Sequence, residues 1–194
     1  MTFLNNIKNY QIILASQSPR RQTLLKELNF NFEVKVKEID EAFPPHLVKE
    51  EIAVYLAELK AEAFNSELTN NQLIITADTI VWVNNQVLNK PSDYQHAFEM
   101  LETLSNNKHT VYTGVCLKTK AKTKTFWAST DVYFAKLDNE EIEYYINTYK
   151  PYDKAGSYGI QEWIGYIAIE RIEGSYFNVM GLPIQKLYNE LKHF

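Results

Sequence analysis

Ile12-Ile13-Leu14-Ala15-Ser16-Gln17-Ser18-Pro19-Arg20-Arg21, running on through Gln22 to Leu28, is the stretch on which the reading of this chain turns. Ile12 to Ala15 form an apolar run that predicts a short buried strand. Ser18 before Pro19 predicts a helix start, with a hydroxyl at the N-cap and a preset φ at the first helical position. Leu24, Leu25 and Leu28 give that helix one apolar face. Strand, tight turn and helix N-terminus bring free backbone N–H groups and a positive dipole end to one spot, beside two hydroxyls and two guanidiniums. That is an anion site, and phosphate is the anion it fits. The chain holds only three arginines, Arg20, Arg21 and Arg171, so solubility rests on lysine. Two adjacent guanidiniums at a helix start match bidentate phosphate binding, which an ammonium cannot imitate. The competing reading is an exposed first turn whose arginines pair with surface carboxylates.

With 194 residues, 45% of them hydrophobic, the chain suits a single domain, residues 1–194. A net charge of -4 argues against general nucleic-acid binding, so a phosphate site must concentrate its positive charge locally. Cys116 is the one cysteine, which rules out an intrachain disulfide and points to a reducing compartment. Met1 to Tyr10 lacks a signal-peptide pattern, and no apolar run nears the ~20 residues of a membrane span. The expectation is a soluble cytoplasmic protein without membrane contact.

Strands and helices alternate along the chain. Phe32 to Val36 predicts a second strand with Phe32, Val34 and Val36 on one face, leading into Glu38, Asp40 and Glu41. Val48 to Glu67 predicts a helix with the stripe Ala53, Leu56, Ala57 and Phe64. Lys60 falls on that stripe, either snorkelling over apolar neighbours or aimed into a site. Leu73 to Val83 is the most apolar run and predicts a central strand covered on both faces. Asp78 sits in its middle, where a carboxylate is costly unless paired or given a task. Asn84-Asn85 predicts a hairpin turn, after which Val87-Leu88 returns and delivers Lys90.

Ser92-Asp93-Tyr94-Gln95 predicts a capping box before a helix carrying Ala97, Met100, Leu101 and Leu104. Thr110 to Leu117 and Phe126 to Ala135 predict strands joined by a solvated basic turn. Asp138 with Glu141 caps a further helix that Pro151 stops. Asp153 to Gln161 reads as a loop whose glycines permit close backbone approach to a ligand, or as a simple turn. Ile164 to Ile172 predicts a strand, and Pro183 opens the last helix. The class is α/β with a mixed sheet.

Cationic Arg20, Arg21, Lys60 and Lys90 together with carboxylates Glu41 and Asp78 fit a polyphosphate plus a divalent cation such as Mg²⁺ or Mn²⁺. A carboxylate base beside such a cation can direct water at phosphorus. The GxxxxGK[ST] loop of P-loop NTPases is absent, as are zinc spacings; His46, His96, His109 and His193 are scattered. Cys116 falls within a strand pattern and reads as core rather than nucleophile.

The chain resembles the Maf family of nucleoside triphosphate pyrophosphatases, once linked to septum formation. The likeness covers nearly the whole chain. It rests on Leu14 to Arg21, Ile39-Asp40-Glu41, Leu59-Lys60-Ala61, Ala77-Asp78-Thr79, Asn89-Lys90-Pro91, Asp153 to Gln161 and Val179-Met180-Gly181-Leu182-Pro183. The resemblance implies hydrolysis between the α and β phosphates, and a twisted mixed sheet with flanking helices forming two lobes around a cleft, similar to the inosine triphosphate pyrophosphatases. It implies Asp78 as proton acceptor; Ser16, Arg21, Lys60 and Lys90 as phosphate contacts; and Glu41 with Asp78 as metal ligands. It resolves the Lys60 ambiguity toward function. Arg20, Thr79 and Gln161 stand at the family's specificity positions and follow the branch that prefers dTTP and UTP. The Gln161 amide offers a donor and an acceptor to a uracil or thymine edge.

Gln17 and Trp163 depart from the family pattern, and Trp163 either stacks on a ligand or packs. A non-catalytic, nucleotide-binding regulator of cell division is the alternative, against which the retained carboxylates argue. Modified pyrimidine nucleotides are a further substrate class, and the resemblance is compatible with a homodimer.

Overall fold

The computed structural model describes residues 4–194. In chain order the elements are β1 (Gln11–Leu14), α1 (Pro19–Glu27), β2 (Phe32–Val34), α2 (Glu50–Glu62), β3 (Gln72–Val83), β4 (Gln86–Leu88), α3 (Tyr94–Leu104), β5 (Lys108–Lys118), β6 (Thr123–Phe134), α4 (Asn139–Tyr149), a 3₁₀ turn (Ala155–Ser157), α5 (Trp163–Ala168), β7 (Ile169–Glu173), α6 (Tyr176–Val179) and α7 (Ile184–Lys192). Among the described residues seven strands form a sheet ordered β2-β1-β3-β5-β6-β7, with β4 paired to β3. β1 runs parallel to β2 and β3, whereas β4 and β7 pair antiparallel with β3 and β6. The expected α/β class with a mixed sheet is the one observed.

The chain folds as two compact units. The first comprises Met1–Asp78, Thr113–Ala128 and Gly181–Phe194, and the second Thr79–Tyr112 and Ser129–Met180.

In the first unit the parallel strands β1 and β3 carry buried runs, as an apolar stretch without alternation requires. Ile13, Ala15 and Ile74 pack with Phe64 and Leu68. Helix α2 presents small residues, and Ala57 and Ala61 pack on Cys116. A Cβ at Gly114 of β5 would lie 2.3 Å from the Ala53 carbonyl carbon and oxygen, so the helix backbone rests directly on the strand. The strand read over Phe32 to Val36 is shorter, and its valines, Val34 and Val36, face solvent. They are 44% and 42% exposed, because β2 is an edge strand that ends at Val34.

The second unit has a core in which α3 and α4 supply Ala97, Met100, Leu101, Leu104, Ile142, Tyr145 and Ile146. Asn84 and Asn85 have φ of 49° and 60°, the pair of positive values that a type I′ hairpin turn demands. The capping box read at Ser92 does not form, and the cap moves on by one residue. Asp93 is the N-cap and accepts from the His96 N–H at 2.9 Å, while the Gln95 amide turns to Glu99. The Asp138–Glu141 box forms as expected. The strand read over Ile164–Ile172 is half helix. Ile164 and Ala168 are buried four residues apart on one face of α5, and only Ile169–Glu173 is extended.

His109 is 1% exposed, its Nε2 lies 2.7 Å from the Tyr158 hydroxyl, and the Phe134 and Tyr158 rings meet it edge-on. Burial pushes its pKa from 6.5 down to about 3. The unfolded chain therefore binds one proton more than the folded chain between those values. Stability attributable to His109 is whole above pH 6.5 and falls with pH, by about 1.4 kcal/mol per unit, until about pH 3. Urea unfolding of the wild type and His109→Asn between pH 7 and 4 should show the shallower pH slope in the variant; parallel slopes would contradict the buried neutral histidine.

Candidate active site

The first unit assembles most of the residues singled out above. β1 ends at Leu14, while parallel β3 continues past that residue's partner, Ile75, and carries Asp78 beyond it. Ligands of open α/β sheets bind beyond the carboxyl ends of parallel strands, where helix N-termini point. The Ala15 N–H donates to the Ile75 carbonyl at 2.9 Å, and the chain then turns into α1. Ser16 is buried, and its Oγ accepts from the Ser18 N–H at 3.2 Å and from Arg21 at 3.4 Å. Ser18 occupies the N-cap, as its sequence position predicts, yet its side chain makes no capping bond. The Ser16 hydroxyl reaches forward to the Ser18 backbone instead.

Arg21 is partly buried, and its Nε donates to the Gly181 carbonyl at 2.7 Å. Gly181 has φ of 106°, a conformation that favours glycine. Burial lowers the Arg21 pKa from its ordinary value. Asp78 and Glu41 oppose that shift, and neighbouring Arg20 adds to it. The guanidinium therefore stands in the field of both carboxylates.

Lys60 joins those carboxylates. Its ammonium contacts Glu41 Oε1 at 2.9 Å and donates to Asp78 Oδ1. The side chains of Lys60 and Asp78 are 17% and 11% exposed, against 43% for Glu41, so the inner pair is shielded and the outer carboxylate faces solvent. Helix periodicity alone leaves Lys60 between snorkelling and function, and the family resemblance favours function; the ammonium is paired, and α2 places it there by resting on β5 at Gly114. Ser16, Arg20, Arg21, Glu41, Lys60 and Asp78 thus form one electrostatic cluster. Three cations against two carboxylates leave it one positive charge in excess.

Glu41 and Asp78 supply hard oxygen donors that converge on one cationic group, the Lys60 ammonium. Among the described residues no group of three or more His, Cys, Asp or Glu side chains could hold a metal. Mg²⁺ commonly takes one or two protein carboxylates and fills its remaining positions with phosphate oxygens and water. The pair fits that mode.

Thr79, Lys90 and Gln161 belong to the second unit. Lys90 is exposed, just after Asn89, whose carbonyl accepts from the Gly156 N–H at 3.2 Å. Gln161 is partly buried, and its Oε1 is shut from solvent with no hydrogen-bond partner among the described residues. Trp163 packs edge-on against Tyr144, 4.9 Å between ring centroids. Cys116 is fully buried and burial pushes its thiol up to about 12, so it is an inert core residue as read. Sequence reasoning does not reveal the bonds that Tyr145 and Lys154 make to Glu162. The one local signal was a lysine inside a glycine loop that packs against a core.

The sequence matches the model of the Maf-like protein family over residues 11–194. A dTTP/UTP pyrophosphatase of Parabacteroides distasonis is 55% identical over 192 residues, covering 98% of this chain and 100% of the relative. One from Porphyromonas gingivalis W83 is 53% identical over 194 residues, covering 98% of both. A solved dITP/XTP pyrophosphatase from Mycobacterium abscessus overlaps 66% of this chain and 75% of its own at 13% identity, with a TM-score of 0.41. No helix among the described residues is long and apolar enough to cross a membrane.

Arg21→Lys keeps the charge but deletes the Nε donor to Gly181 and the planar fork. Tripolyphosphate affinity, read by calorimetry, should drop about tenfold or more, and unaltered affinity would rule out fork recognition.

Proposed function

The chain belongs to the Maf-like protein family, and from that premise we propose that it hydrolyses dTTP and UTP to the nucleoside monophosphate and pyrophosphate. Relatives more than half identical over nearly their full length carry the name of that activity. The observation that carries the reading is the pairing of Asp78 and Glu41 through Lys60, within the field of Arg21.

The roles follow from the chemistry of these groups. Ser16, Arg21 and Lys60 bind phosphate oxygens, the arginine through its fork and the lysine as a point charge. As the triphosphate draws the Lys60 ammonium toward itself, Asp78 loses its ion-pair partner and serves as base. Water attacks the α phosphorus and gives its proton to the Asp78 carboxylate. The bond from the α phosphorus to the bridging oxygen breaks, and pyrophosphate leaves with the electron pair. Glu41 and Asp78 would hold a divalent cation, Mg²⁺ or Mn²⁺, which neutralises phosphate charge. From the family pattern alone, Lys90 is a further phosphate contact, and Arg20, Thr79 and Gln161 read the base. A cytoplasmic setting suits these substrates and the buried reduced cysteine.

Asp78→Asn keeps the shape of the side chain and removes its basicity. Pyrophosphate release from UTP should fall about 10²–10⁴-fold with the melting temperature little changed. A variant retaining near-normal turnover would overturn the assigned base.

A further inference from the structure

Segment 153–162 of the second unit is held by side chains that the proposed chemistry does not use. Tyr145, fully buried in α4, accepts from the Gly159 N–H at 3.0 Å and donates its hydroxyl proton to Glu162 Oε2. The other oxygen of that carboxylate, Oε1, lies 3.2 Å from the ammonium of Lys154, which is 6% exposed and also holds Asp153 at 2.7 Å. The Gly159 carbonyl accepts from the Glu162 N–H at 2.9 Å, so both polar backbone groups of Gly159 are tied. One residue earlier, the Tyr158 hydroxyl meets His109. Burial and the Glu162 carboxylate both keep the Tyr145 hydroxyl protonated.

Gln161 sits within this clamp. A Cβ on Gly159 would stand 2.8 Å from Glu162 Cδ and 3.1 Å from Gln161 Nε2, so both side chains fold back over the glycine. The backbone around Gln161 is thus pinned on both sides, yet its amide oxygen is buried with no partner among the described residues. A buried acceptor of that kind loses free energy until a donor reaches it. The N3–H of uracil or thymine is such a donor.

The clamp matters because a glutamine amide is ambiguous. Turned over, it offers a donor to the N3 of cytosine as readily as it offers an acceptor to the N3–H of uracil. Preference for uracil and thymine needs the amide held one way round, and the packing of its Nε2 against Gly159, 3.1 Å from where a Cβ would stand, lasts only while that backbone stays in place. We propose that Tyr145, Glu162 and Lys154 are positioning residues that clamp the Gly159–Gln161 backbone, and so set the base selectivity of the enzyme against cytosine. This rests on the reading of Gln161 as a base contact.

The test compares kcat/KM for UTP and CTP across Tyr145→Phe, Glu162→Gln, Gln161→Ala and the Tyr145→Phe/Gln161→Ala double variant. The expectation is that Tyr145→Phe lowers the UTP-to-CTP ratio about tenfold while UTP turnover stays within about threefold. In the Gln161→Ala background the same change should leave the ratio where it is. Should Tyr145→Phe fail to fold, Glu162→Gln, which keeps the acceptor for Tyr145 and loses the charge facing Lys154, should lower the ratio in the same direction. Equal losses on both substrates, or an unmoved ratio in a folded variant, would show mere structural support and overturn the clamp. A wild type that releases no pyrophosphate from UTP overturns the proposed function itself. Active wild type with a ratio indifferent to Gln161→Ala overturns only the base contact and the clamp built on it.

Discussion

The ammonium of Lys60, held against both Glu41 and Asp78, is the contact on which the first unit's chemistry depends. Two carboxylates drawn together in a partly dehydrated place repel each other, and neither keeps its charge cheaply without a cation between them. Lysine suits that position because a long stem lets the charge move when a stronger anion arrives. The stem is anchored on α2, and α2 lies where it does because Gly114 admits the backbone at Ala53. Small residues in the core thereby set the geometry of a charged cluster at its edge.

Arg21 answers from the other strand–helix junction. Its Nε is committed to the Gly181 carbonyl, which orients the guanidinium plane, and its charge is felt together with those of Asp78 and Glu41. The excess of one positive charge in this cluster is what a chain of net charge -4 needs if it is to attract a polyphosphate. In the second unit a different logic holds. Glu162 is satisfied by a tyrosine hydroxyl on one oxygen and an ammonium on the other, and a fully satisfied buried network of this kind rigidifies the backbone that carries it.

Local signals in the sequence fix the outcome wherever the cause is local. The apolar run before Ser16, the proline opening α1, the paired asparagines of the β3–β4 turn and the Asp138–Glu141 box each act over a few residues, and each formed. The structure departs from the sequence expectation where two local signals compete. Ile164 to Ile172 is rich in β-branched residues, but the burial of Ile164 and Ala168 follows the helical period. At Ser92 the adjacent carboxylate is the better acceptor and takes the cap. The bonds among Tyr145, Lys154, Gly159 and Glu162 left no pattern in the sequence, because partners up to seventeen residues apart share no period.

By itself the sequence determined that a strand, a turn and an arginine-bearing helix follow one another, and that a carboxylate lies in the most apolar strand. Those statements depend on propensity and periodicity, which a chain carries residue by residue. Only the tertiary structure decided that Lys60 is a paired ion rather than a snorkelling one, and that Asp78 shares it with Glu41. Electrostatic pairing depends on separation in space and on the exclusion of water, and packing alone supplies both.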